Sequence, residues 1–107
     1  MSLFDSTSAS VTVRQNGREI TGPKARRGYD FSIDCQPGKE VEVEFINRLG
    51  ETSEVRMVSS AIDDTPDVQL APNTGHIFRF TPTESIDQTL LWTGDRSAVL
   101  RFRVAAS

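Results

Sequence analysis

Cysteine and histidine are nearly absent from this chain of 107 residues, which holds one of each, Cys35 and His76. A single cysteine cannot form an intrachain disulfide. One thiol and one imidazole also fall short of the four ligands of a structural zinc site, so we predict no metal and no cofactor. A nucleophilic Cys–His pair would require the two side chains to lie in contact, beside a third group that orients the imidazole. We predict instead that Cys35 is a small buried residue and that the chain is not an enzyme.

Long apolar runs are lacking as well. No run approaches the ~20 residues that a membrane-spanning helix needs, so we predict no membrane insertion. Residues 1–10 have neither the basic region nor the hydrophobic region of a signal peptide. A domain excised from an exported protein would share this feature, so the sequence does not indicate the cellular compartment.

The chain also has no excess of positive charge, because 12 Lys and Arg stand against 15 Asp and Glu, a formal net charge of -3. This balance favours solubility and gives no general attraction to phosphates. Domains that bind nucleic acid usually combine a net positive charge with aromatic stacking platforms. We therefore predict no nucleic-acid partner.

Short segments with alternating apolar and polar residues are what the chain does contain. The clearest is residues 40–45, Glu-Val-Glu-Val-Glu-Phe, which places the apolar side chains on one face of a strand. About nine such segments are separated by turn signals, among them Asn16-Gly17, which favours a type I′ hairpin. No window of ten residues keeps a helical period. We predict an all-β fold, an antiparallel β-sandwich of roughly 7–9 strands over residues 11–107, after a flexible Ser-rich lead-in at 1–10.

Two motifs carry a resemblance to known families. Residues 38–45 are Gly-Lys-Glu-Val-Glu-Val-Glu-Phe, and residues 70–75, after a polar loop, are Leu-Ala-Pro-Asn-Thr-Gly. With two closing strands behind them, they resemble immunoglobulin-like and cupredoxin-like Greek-key sandwiches. Cupredoxins take copper ligands from the start of the next strand and from the last hairpin, where this chain has Thr-Ser-Glu at 52–54 and Thr-Gly-Asp-Arg-Ser at 93–97. A blue-copper site needs two imidazoles and a thiolate, so the resemblance implies the fold without the copper.

A second resemblance is to the chagasin-like inhibitors of cysteine proteases, which are also immunoglobulin-like and free of disulfides. Those inhibitors use three loops, and the comparable places here are residues 47–51, 71–75 and 91–94. Only a Gly and a Trp agree with the inhibitor motifs. A protease-inhibitor-like domain therefore stays as an alternative, beside a copper-free cupredoxin-like one.

Arginines lie on two of the predicted strands, at Arg79 and at Arg101 and Arg103. If these strands pair with the strand at 40–45, the arginines and glutamates form a cross-strand ladder, as is routine on the outer face of an antiparallel sheet. Otherwise the arginines form an exposed stripe suited to an acidic partner, because guanidinium groups bind carboxylates through two hydrogen bonds.

Two loops contain the residues that we predict to bind a partner. They are Lys24, Arg26 and Arg27 in a loop bounded by glycines, and Trp92, Asp95 and Arg96 around the last hairpin. The basic residues suit another protein with an acidic surface. We predict a protein-interaction module that uses loops, or an edge strand extended by a partner.

A carbohydrate-binding accessory domain is the alternative from another class. It would require an aromatic ring at the surface, either Trp92 or Tyr29. A core position is typical for a tryptophan in a sandwich, whereas an exposed Trp92 would serve as an anchor for a partner or a sugar ring.

Overall fold

Ten β-strands make up the fold in the computed structural model, which describes residues 4–5, 7–20, 30–59, 68–93 and 96–104. None of these residues lies in a helix. The strands are β1 (Phe4–Asp5), β2 (Ala9–Gln15), β3 (Arg18–Glu19), β4 (Asp30–Cys35), β5 (Val41–Asn47), β6 (Ser53–Ser59), β7 (Val68–Leu70), β8 (Gly75–Phe80), β9 (Ile86–Trp92) and β10 (Arg96–Val104).

The strands form two sheets that pack face to face. The first sheet has the order β1-β2-β5-β8, with β3 also paired to β2, and the second has the order β4-β10-β9-β6-β7. The predicted all-β sandwich is therefore confirmed. One pair departs from the antiparallel prediction, because β4 and β10 run parallel, from Asp30 opposite Val99 to Cys35 opposite Val104. Sequence patterns predict each strand by itself but not which distant strand lies beside it, so this pair was missed.

The core lies between the inner faces of the two sheets. Each strand alternates between buried and partly exposed residues, most regularly in β5 and β9. The largest side chains that are almost fully buried are Trp92, Phe31, Phe45 and Phe102. Burying a side chain of this size contributes about 1.5–3 kcal/mol relative to leaving it in water. The predicted hairpin at Asn16-Gly17 also forms, with φ angles of 56° and 77°.

Part of the segment predicted as a flexible lead-in belongs to the first sheet. Phe4 and Asp5 pair with Val11 and Ser10, and β2 begins at Ala9 rather than at residue 11. The serine-rich sequence shows no alternation of apolar and polar residues, so it lacks the pattern that predicts a strand. The sheet therefore extends into the region where the sequence indicated only a lead-in.

A buried asparagine joins the two sheets at one end of the sandwich. Asn47 is fully buried at the end of β5, and its Oδ1 accepts a hydrogen bond from the backbone N–H of Leu49 at 3.0 Å. Its Nδ2 donates to the backbone oxygens of Glu51 (2.9 Å), Leu70 (3.0 Å) and Ala71 (3.3 Å). Because Leu70 ends β7, this side chain ties the first sheet to the edge of the second.

A buried glutamine makes a similar set of hydrogen bonds at the opposite end of the sandwich. Gln15 is 5% exposed, and its Nε2 donates to the backbone oxygens of Gln36 (2.8 Å) and Lys39 (3.1 Å). Its Oε1 accepts from the N–H of Gln36 at 2.8 Å. All the polar atoms of this buried amide are therefore bonded, and the turn between β4 and β5 is held against β2.

We predict that Asn47→Ala lowers the free energy of unfolding by about 2–4 kcal/mol, because it leaves buried carbonyl oxygens without donors. Urea denaturation monitored by circular dichroism measures the change. The matched control is Gln69→Ala, which removes an exposed amide from β7. Equal stabilities of the two variants would contradict the structural role of Asn47.

Candidate interaction site

Strand β8 lies at an edge of the first sheet. It pairs antiparallel with β5, from Phe80 opposite Val41 to Gly75 opposite Ile46. Within the described part of the chain, no strand pairs with its other side, which we call the open edge of β8. An unpaired edge of six residues offers a row of backbone donors and acceptors to another strand.

The hydrogen bonds of Asn47 identify which backbone groups point to the open edge. Asn47 donates its backbone N–H to Thr74 O at 2.9 Å, and its backbone oxygen accepts from Asn73 N–H at 2.8 Å. The odd-numbered residues of β5 therefore face β8, since backbone groups alternate along an antiparallel strand. Their partners in β8 are the even-numbered residues, so the N–H and C=O groups that face the open edge belong to Gly75, Ile77 and Arg79.

The side chains of β8 differ between its two faces. On the inner face, Phe78 is 5% exposed, while His76 and Phe80 are half-buried. The ring of Phe80 makes an edge-to-face contact with Phe102, with centroids 4.9 Å apart. On the outer face, Ile77 is half-buried and Arg79 is exposed. The open edge thus has an apolar inner side and a mixed outer side.

Arg79 takes part in the cross-strand ladder that the sequence predicted. It lies directly opposite Glu42, and its Nη2 is 3.5 Å from Glu42 Oε2, while its Nε is 3.9 Å from Glu40 Oε1. On the far side of β5, Arg14 Nη2 is 3.2 Å from Glu44 Oε1. Pairs of this kind contribute roughly 0.2–1 kcal/mol each.

Arg101 and Arg103 belong to the second sheet, so the expected ladder with the glutamates of β5 is wrong for them. Arg101 instead donates to both carboxylate oxygens of Asp30, at 2.9 and 3.2 Å, and to Asp87 at 3.1 Å. Arg103 donates to Asp87 at 3.0 Å. The hydrogen bonds and the charge of Asp30 raise the pKa of Arg101. These two arginines are paired within the sheet and do not form a separate stripe for an acidic partner.

The other edges of the sandwich are better protected than β8. β4 carries two carboxylates on its outer face, Asp30 and the exposed Asp34, and β7 has three residues. Charged side chains and short length are the usual means by which edge strands avoid pairing with other chains. β4 and β8 both have six residues, but β8 carries one Arg where β4 carries two Asp, so β8 combines full length with little charge.

The sequence did not identify β8 as an edge, although it placed Arg79 on a predicted strand. Strand order depends on contacts between distant segments, which the pattern of one strand does not contain. Arg79 between two phenylalanines gave no signal of an edge, because the central strand β5 has the same alternation of charged and apolar residues.

The binding residues predicted from the sequence are only partly described. Lys24, Arg26, Arg27 and Asp95 lie outside the described residues, as does Tyr29. Arg96 begins β10 and is exposed.

Trp92 is a core residue and lacks the exposure that the predicted binding role requires. It lies opposite Arg96 in the register but is 1% exposed. Its ring is 5.5 Å from that of Phe45, and its Nε1–H donates to Ser8 Oγ at 3.2 Å. Strand alternation turns Trp92 inward together with Leu90, so it cannot anchor a partner from the surface.

The two potential catalytic side chains lie far apart. Cys35 lines a pocket of about 370 Å³ beside Gln15, which pairs with Val41, whereas His76 pairs with Phe45. Val41 and Phe45 lie four positions apart in β5, or about 13 Å along the strand. Cys35 and His76 therefore do not form a nucleophilic pair.

The two segments that the cupredoxin resemblance compares with copper-ligand positions lie in contact. Thr93 donates its backbone N–H to Glu54 O at 3.3 Å, and both residues line an open pocket of about 420 Å³ with Ser53. The Ser53 Oγ is buried and has no hydrogen-bond partner among the described residues. Thr93 has a φ of 55°, which is strained for a β-branched residue. Hydroxyl and carboxylate groups line this pocket, so its residues do not fit a blue-copper ion.

In comparisons with known proteins, no protein-family model matches the chain and no curated protein matches its sequence. None of the residues that the structure describes forms a helix capable of crossing a membrane.

The buried thiol makes stability depend on alkaline pH. Burial, and then the charge of Asp34, raise the pKa of Cys35 above its ordinary value. The folded state therefore retains the proton at a pH where the unfolded state has lost it. The contribution of the protonated Cys35 thiol to the free energy of unfolding is fully present below the ordinary pKa. It declines as the pH rises above about 8.5.

We predict that the free energy of unfolding of the wild type falls between pH 8.5 and 9.5, by at most about 1.4 kcal/mol per pH unit, relative to Cys35→Ala. Urea denaturation of both proteins at pH 7.0, 8.5 and 9.5 tests this. A constant difference between them across that range would show that the thiol does not titrate as expected.

Proposed function

We propose that this chain is a non-enzymatic protein-interaction module that binds an extended segment of a partner protein by strand addition to β8. The observation that carries the proposal is the open edge itself, with the outward backbone groups of Gly75, Ile77 and Arg79. In this mode of recognition, main-chain hydrogen bonds supply affinity and alternate side chains supply specificity.

The energetics of the open edge support a reversible contact. Each new backbone hydrogen bond contributes about 0.5–1.5 kcal/mol net. An added strand would also cover the half-exposed flanks of His76 and Phe80, which lie at the rim of the core. These gains offset the cost of ordering the partner segment, which favours moderate affinity over permanent assembly.

We also propose that the sandwich is a copper-free relative of the cupredoxin-like type. Support comes from the contact between Thr93 and Glu54, which brings together the two regions where that family binds copper. The protease-inhibitor-like alternative has no comparable support. The carbohydrate-binding alternative loses one of its two aromatic candidates, because Trp92 is buried.

The proposal predicts that Ile77→Pro abolishes partner capture while the fold is retained. Proline removes an N–H that points to the open edge, so the ladder between β5 and β8 keeps its bonds. Gly75 is unsuitable, since a Cβ there would lie 2.8 Å from Phe45 O. A photo-crosslinking amino acid at Thr81, an exposed residue just beyond β8, should capture a discrete protein from a lysate of the source cells.

The matched controls are Ile77→Val, which keeps the N–H, and the same crosslinker at Asp34 on the edge of the second sheet. We expect the crosslinker at Thr81 to capture the partner in Ile77→Val but not in Ile77→Pro. We expect no capture when the crosslinker is at Asp34. Thermal melts show whether each variant is folded. Capture that survives in a folded Ile77→Pro protein, or that occurs equally from Asp34, would refute strand addition to β8.

The basic loop is tested by Arg26→Glu combined with Arg27→Glu in the same assay. If β8 holds the partner, capture from Thr81 persists in this variant, because the backbone groups of the open edge are unchanged. Loss of capture would assign the contact to the loop that the sequence analysis favoured.

A further inference from the structure

The strand that already pairs with β8 indicates what a second neighbour of β8 would look like. Opposite Phe80, Arg79 and Phe78, β5 places Val41, Glu42 and Val43. An apolar residue thus faces each phenylalanine on the inner side, and a carboxylate faces the arginine on the outer side. A strand on the open edge would meet the same three side chains of β8, because a side chain keeps its face toward both neighbours.

Arg79 retains hydrogen-bonding capacity for a second carboxylate. Its side chain is 53% exposed, and its contacts with Glu42 and Glu40, at 3.5 and 3.9 Å, are ion pairs without a direct hydrogen bond. Arg14, by comparison, donates a hydrogen bond to Glu44 at 3.2 Å. A guanidinium group presents five N–H donors in one plane, so Arg79 can bind a carboxylate on its far side.

The inner side of the open edge favours apolar residues. Phe80 is half-buried and its ring packs on Phe102, at the end of the core that β8 borders. A partner side chain opposite Phe80 or Phe78 would extend this core, whereas a charged one would lose its hydration there.

Building on the proposed function, we infer that the partner segment carries a carboxylate opposite Arg79, flanked by two apolar residues opposite Phe78 and Phe80. The recognised element is therefore an extended apolar–Asp/Glu–apolar segment. Strand addition supplies its affinity, and Arg79 selects it from other extended segments.

Synthetic peptides test the inference directly. The probe is Ser-Thr-Val-Glu-Val-Thr-Ser with blocked ends and a fluorophore, and its matched control has Lys in place of the central Glu. Fluorescence anisotropy with the full chain should show binding of the Glu peptide and about tenfold weaker binding of the Lys peptide, the size of one charge-assisted hydrogen bond.

Arg79→Glu should reverse this preference, and Arg79→Gln should abolish it. Arg14→Glu is the matched control, because Arg14 lies in the same cross-strand row as Glu42 and Arg79, on the far side of β5 from the open edge. This variant should keep the wild-type preference. Two variants at position 79 preserve the test if one of them fails to fold.

The outcomes separate this inference from the proposed function. Equal binding of both peptides, tighter binding of the Lys peptide, or no binding of either overturns the selection of a carboxylate. If both peptides bind equally and Ile77→Pro abolishes both, strand addition stands without the carboxylate. If the preference for Glu persists in Arg79→Gln, Arg79 is not its source and the inference fails.

Discussion

The whole structure depends on one constraint: each sheet must bury one face against the other. The period of two along a strand then sends every second side chain into the core and its neighbours to the surface. Trp92, Phe45 and Phe102 show the result, since each is almost fully buried between partly exposed residues. With the inner faces committed to packing, contact with other molecules is left to turns, outer faces and edges.

The two buried amides complete this packing at the ends of the sandwich. Asn47 and Gln15 make hydrogen bonds to backbone groups near the two ends of β5. Apolar side chains at these positions would leave those backbone groups without partners. The ladders with β2 and β8 place β5 between these two strands. β5 pairs with β8 along its length, and among the described residues no strand pairs with the other side of β8.

Particular residues show how far prediction from the sequence reached. The alternation at 40–45 predicted the faces of β5 correctly. The predicted ladder of Arg79 with the glutamates also forms, because β8 does pair with β5. The same reasoning failed for Arg101, whose partner is Asp30 on a strand far away in the chain. Alternation placed Trp92 on the same face as Leu90 but left open whether that face was the core, and its indole is bonded to Ser8, in a segment that had no strand pattern.

The sequence by itself determined the fold class and the inward face of most strands, because period-two patterning is a local property of the chain. Tertiary structure decided the rest: which strands became neighbours, that β4 runs parallel to β10, and that β8 ends a sheet. These features depend on contacts between segments that are distant in sequence. No local pattern records them, so the open edge of β8 became visible only when the two sheets were assembled.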